Sequence, residues 1–258
     1  MTGPVLALAV LAVGSLAAVL SVPPIPQNQL YHLFADARVW LGIPNAADVL
    51  TNLAFLVPGL LGLFLAGWSP PPGAVWSWRA VFGGSLLVAF GSGFYHWRPE
   101  DWTLVWDRLP MTISFMGLFA VMLCEYVWRE ESERLVLPPL LAAGLGSVVW
   151  WYGFDDLRVY LWVQFFPLAC LLLVPALFPA RYSQGWKLFL ALGLYALGKV
   201  VEVHDRAVFA ATGNLVSGHS LKHLLAGLGA WVLYVWLRDR QPLPAAPPVG
   251  EASPLTSG

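Results

Sequence analysis

Charge is what this sequence has least of. Only 11% of its 258 residues are charged, 14 Lys and Arg against 15 Asp and Glu, and the formal net charge is −1. A soluble domain carries about 25% charged residues, so this chain cannot coat a water-soluble globule of its size. It also offers no basic field, which removes nucleic acid as an expected partner. Cysteine is scarce as well. Cys124 and Cys170 both lie in apolar runs, where a thiol acts as a small buried hydrophobe, and no CxxC pair supplies redox or cysteine–zinc chemistry. What is abundant is apolar: 58% hydrophobic residues, a mean hydropathy of +0.67 and 14 Trp. Trp gathers at the two membrane–water interfaces, and a span takes about 20 apolar residues. The expected fold class is all-α, a polytopic membrane protein of seven or eight spans.

The first apolar run, Pro4–Val22, lacks a positively charged leader and an A-x-A site, so it reads as a retained span rather than a signal peptide. Pro23, Pro24 and Pro26 end it. Residues 28–41 mix Tyr31, Phe34 and Trp40 with Asn28, Asp36 and Arg38, an amphipathic segment expected to lie in the interface. Seven further spans are expected at Ala46–Trp68, Val75–His96, Arg108–Trp128, Leu135–Tyr152, Val159–Phe178, Trp186–Val203 and Gly218–Leu237. The Pro-, Ala- and Ser-rich tail 241–258 is expected to be disordered. With eight spans, Lys and Arg favour the side of both termini, seven against five: Arg79, Arg129, Arg134, Arg181, Lys187, Arg238 and Arg240 against Arg38, Arg98, Arg108, Arg158 and Arg206. Both termini are therefore expected in the cytoplasm of a bacterial inner membrane, with His96, Asp107 and His219 facing outward.

Ionisable residues inside a membrane are costly and mark function by default. Ser92 and His96 are spaced i, i+4, as are His219 and His223, so each pair shares a helix face. Asp107 opens a span at the same depth. Three imidazoles with one open position suit a catalytic zinc, whose bound water is acidified to a pKa of about 7. HxxxH alone is weak, because Ser220 stands where a metalloprotease helix has its Glu; a single buried His is more often a packing residue than a ligand. Lys199, Glu202, His204 and Asp205 read as an interfacial cluster of internal ion pairs, or as an ion relay. His32 reads as interfacial. Lys222 falls near the site but has no lone pair to offer a metal.

Four motifs occur in order: Asp48 to Phe55 (DVLTNLAF), Gly91 to His96 (GSGFYH), Asp107 to Met111 (DRLPM) and Gly218 to His223 (GHSLKH). Over about Tyr31 to Leu237 the chain resembles the alkaline ceramidase family, in its bacterial, alkaline phytoceramidase-like branch, and the wider CREST superfamily that includes adiponectin-receptor-type proteins. The resemblance implies a seven-helix core around zinc held by His96, His219 and His223, with Ser92 and Asp107 as catalytic residues. The division would be an N-terminal transmembrane helix at 1–27, a ceramidase-like core at 28–240 and a tail at 241–258. Arg108 stands where the animal enzymes have Glu, and Thr51 replaces Ser. The acidic segment that holds calcium in animal members is absent, so zinc is the implied cofactor and calcium is not counted on. Asp36, Asn45, Asp48 and Asn52 are left as a reduced second cation or supporting site.

The implied activity is hydrolysis of a ceramide-like N-acyl lipid to a fatty acid and a sphingoid-type amine by metal-activated water. Asp107 would be the general base, or would orient a ligand imidazole, and Ser92 would donate to the oxyanion. The partner is the membrane lipid substrate; no protein partner is implied. The competing reading is a non-catalytic zinc-containing sensor of the adiponectin-receptor kind.

Overall fold

The computed structural model describes residues 3–244, and within them every regular element is helical. In chain order these are α1 (Gly3–Ser21), α2 (Ala46–Thr51), α3 (Leu56–Trp68), α4 (Val75–Trp97), α5 (Asp101–Met122), α6 (Glu133–Phe154), α7 (Arg158–Leu177), α8 (Trp186–Val203), α9 (Asp205–Ala211) and α10 (Gly218–Asp239). A 3₁₀ turn at Asn52–Phe55 joins α2 to α3, and a π turn at Leu123–Val127 extends α5. Five helical stretches are long and apolar enough to cross a membrane: Ala46–Trp68, Asp101–Val127, Glu130–Phe154, Arg158–Leu177 and Gly218–Asp239. Large apolar side chains such as Phe64, Val149 and Leu172 are more than half exposed on the outer faces, while many polar groups are buried. That inversion is consistent with a multi-pass membrane protein.

Helix α4 packs most extensively on α5, and α8 on α10. The α4–α5 approach is close because Gly91 lies against the backbone of Trp106, where a Cβ would collide with the Trp106 carbonyl. Helix α10 gets equally near α8 through Gly218, which faces the Val201 carbonyl. Both glycines open or precede a chemistry-bearing motif. Their missing side chains set Ser92 and His96 against α5, and His219 against α8. Helix α1 docks on α7 at the margin: Trp162 Nε1 donates to Ser15 Oγ at 3.0 Å, and Arg158 donates to the terminal carbonyls of Leu20 and Val22.

Two expectations need correction. Helix α5 begins at Asp101, not at Arg108, because Glu100 and Thr103 form a reciprocal capping box ahead of the apolar run. Asp107 and Arg108 are consequently well inside the helix rather than at its opening. Residues 28–41 are not a continuous amphipathic helix: only Gln29–His32 is helical, capped by Asn28. His32, at the end of that turn, bridges Tyr95 (2.9 Å) and Asp101 (3.0 Å), and beyond it Ala35 N donates to Asp205 (2.8 Å). Of the tail expected to be disordered, residues 245–258 lie outside the described residues.

Candidate metal centre

His96 occupies the last turn of α4, one turn after Ser92, while His219 and His223 occupy the first two turns of α10. All three imidazoles are buried, with ring centroids 4.7–4.9 Å apart, and one nitrogen from each lies within 4.8 Å of the others. The start of α10 is pinned so that its histidines face inward. Ser217 caps it by accepting from Ser220 N (2.9 Å), and Asp205 accepts from His219 N (2.8 Å). Asp48 accepts from both the Ser217 and Ser220 hydroxyls.

Hydrogen bonds place the ring protons of His223 and His219. Thr51 Oγ1 donates to the Ala47 carbonyl (2.8 Å), so it accepts from His223 Nδ1–H at 3.0 Å. His223 Nε2 is left as a buried lone pair without a partner. Lys222 Nζ donates to His219 Nε2 (2.8 Å), which places the proton of His219 on Nδ1, facing Glu202 Oε1 at 3.9 Å. His96 Nε2 lies 3.3 Å from His219 Nε2. Two nitrogens about 2.05 Å from a tetrahedral ion sit roughly 3.3 Å apart. The donor set fits a cation such as zinc, the His96–His219 pair stands at that spacing, and an ion there would take the His219 Nε2 lone pair from Lys222. Phe34 closes the triad from the overlying loop, 4.6 Å from the His96 ring and 4.8 Å from that of His219.

Ser92 and Asp107 border a cavity of about 430 Å³ with His223. The Ser92 hydroxyl faces the Asp107 carboxylate, and Asp107 Oδ1 is buried without a partner. Asp107 is not a hydrogen-bond partner of any of the three rings; Thr51 and Glu202 are the groups beside their outer nitrogens. Of the four residues read as a second cation or supporting site, Asp36 is paired away from the histidines, while Asn45, Asp48 and Asn52 touch the elements that carry or border them. Asp36 is held by Arg38 through two hydrogen bonds (2.8 and 2.6 Å), which keep its carboxyl below the usual range against the opposing effect of burial. Asn45 donates to the His96 carbonyl (2.9 Å), and Asp48 takes the two serines. Asn52 donates to the Asp48 carbonyl (2.7 Å) and borders the cavity.

Sequence reasoning missed Phe34 and undervalued Glu202. Glu202 does form internal ion pairs, with Lys199 and Lys222, but they border the cavity beside a candidate ligand. The signal available was an acid and a base at i, i+3 in an apolar span. Phe34 gives no such signal, since its place over the histidines depends on Ala35 N donating to Asp205 170 residues away. Comparisons of the chain with family models, curated proteins and solved structures return no match.

Proposed function

We propose that this protein is a zinc-dependent hydrolase of N-acyl lipids in the manner of the alkaline ceramidases. Its seven-helix core would carry the site, α1 would be an added span, and both termini would face the cytoplasm of a bacterial inner membrane. The observation that carries this reading is a cluster of three buried imidazoles, one of which, His223, reaches the polar end of an apolar cavity that Ser92 and Asp107 also border. His96, His219 and His223 would hold the metal, with Thr51 fixing the tautomer of His223 and Glu202 lying beside Nδ1 of His219. A zinc ion bound there supplies Lewis acidity and lowers the pKa of water.

The remaining steps belong to the chain. Asp107 accepts the proton of the attacking water on its unpartnered Oδ1 and returns it to the leaving amine. Ser92 donates to the oxyanion that develops on the scissile carbonyl. The apolar depth of the cavity holds the acyl chain and excludes water from it.

The test is metal analysis joined to turnover. Purified protein is expected to hold about one zinc per chain and to cleave a member of a panel of long-chain ceramides and other acyl amides. Zinc-loaded protein that cleaves none would favour the sensor reading. Orientation is tested separately: a Cys at Pro99 should react with an impermeant outside reagent and a Cys at Ser132 should not. The reverse pattern would put the site on the cytoplasmic side.

A further inference from the structure

The cavity is amphiphilic along its length. Descending α10 from Lys222 and His223 to Leu233, its border passes to Ala226 and Ala230, an interval of roughly 16 Å at the rise of an α-helix. The polar end holds Arg108, Lys199 and Lys222 against Asp107 and Glu202, one more cation than anion. Glu202 pairs with both lysines. Arg108 is different. It is nine-tenths buried or more, and its Nη2 donates to Gln27 Oε1 at 2.8 Å. Among the described residues none of the ion pairs includes it, and Nη1 has no partner.

The guanidinium is nevertheless fixed in place. Its centre lies 3.9 Å from the Trp151 ring, 4.6 Å from Tyr160 and 6.0 Å from Tyr31. The same molecule shows how an arginine in an aromatic cage is balanced when its role is packing. Arg240 sits among Trp78, Tyr182 and Trp236 at 4.1–5.7 Å, and Glu125 meets it with two oxygens. Arg108 has the cage without the carboxylate, and it borders the cavity where Arg240 does not. Aromatic faces offset only part of the cost of burying a full charge, and a planar fork held rigid is matched to a carboxylate or phosphate.

We propose that Arg108 recognises the headgroup in this cavity, and that the substrate is an N-acyl lipid bearing an anionic group, carboxylate or phosphate, at its polar end. This rests on the hydrolase reading for the word substrate, while the binding it predicts does not require turnover.

The test therefore uses ligands with no amide to cleave: dodecylthioacetate, dodecyl phosphate and neutral dodecylthioethanol. Each is titrated into the zinc-loaded protein in nonionic detergent and followed by tryptophan fluorescence, since Trp151 lies on the guanidinium. An anionic ligand is expected to bind about 10- to 100-fold tighter than the neutral one, the worth of a charged hydrogen bond. Arg108→Gln should bring that ratio close to one with zinc content intact, and Arg108→Lys should recover part of it. A preference for the carboxylate alone would assign an acylated amino acid, and one for the phosphate alone a phosphorylated headgroup. Equal affinity for anionic and neutral ligands in the wild type overturns the proposal, even if Arg108→Gln does not fold. So does an anion preference unchanged in Arg108→Gln, which would assign the anion to the metal. Anion preference without turnover of any lipid would leave Arg108 as assigned and remove the hydrolase reading instead.

Discussion

The two ends of the helix bundle treat buried polar atoms in opposite ways. Around the start of α10, six buried side-chain atoms have no partner: Asp48 Oδ2, Asn52 Oδ1, His96 Nδ1, Asp107 Oδ1, Arg108 Nη1 and His223 Nε2. Around its far end, among the described residues, only Ser77 Oγ and Arg240 Nε are left so. There Glu125 accepts from Ala74 N, Trp78 Nε1 and Arg240, and Arg240 also donates to the Pro72 carbonyl. Glu133 takes Ser77 N. A buried group without a protein partner costs about 1–3 kcal/mol, so a fold retains such groups in number where water, an ion or a ligand meets them. One end is built to be complete by itself. The other is built to be completed.

The comparison can be broken from either side. The largest expected effect is on turnover. Asp107→Asn keeps the size of the side chain and one acceptor oxygen but removes the carboxylate. Hydrolysis should fall by about 10²–10⁴ with zinc content and melting temperature near those of the wild type. A parallel loss of zinc would instead make Asp107 a group that orients a ligand. Ser92→Ala should lower turnover by about 10² or more, again with the metal retained; unchanged turnover would remove Ser92 from the mechanism.

At the far end the readout should be reversed. Arg240→Ala leaves the buried Glu125 carboxylate without its counter-charge, and breaking a buried pair of this kind costs about 3–5 kcal/mol. The melting temperature should drop sharply while zinc bound to the folded fraction stays stoichiometric. A variant that melts normally would show that the far end is not the anchor its hydrogen bonds suggest. The smallest effect sharpens the contrast within the site. Thr51→Val removes the acceptor for His223 Nδ1, so zinc affinity should fall about 10-fold with little change in stability. Competition with a chelator of known affinity measures it, and an unchanged affinity would mean that the tautomer of His223 is set elsewhere.

Much of this was legible in the sequence, and the exceptions share a cause. The helices of the apolar runs stand close to their expected positions, since hydropathy and helix-breaking residues act locally. The histidines could be grouped because i, i+4 spacing fixes a shared face and each pair fell at an expected span end. The start of α5 was legible too, in Glu100 and Thr103, but hydropathy outweighed the capping signal. Three features were not readable: the loop carrying Phe34, the cage around Arg108 and the aromatic rings around Arg240. Arg108 meets Gln27 across 81 residues, and Glu125 meets Arg240 across 115. No local pattern encodes such pairings. They arise when helices whose own signals are strong happen to bring isolated polar residues together.

Helix α10 is tied at both ends to parts of the chain made long before it. His219 meets His96 across 123 residues, and Arg240 meets Glu125 near the other end. Synthesis proceeds from the N-terminus and early elements fold first, so α4 and α5 are made before the helix that satisfies their polar faces exists. Until then Glu125 lacks Arg240 and His96 lacks His219. The three-histidine cluster thus cannot form until the start of α10 is made, and Arg240, past the end of the same helix, reaches Glu125 later still.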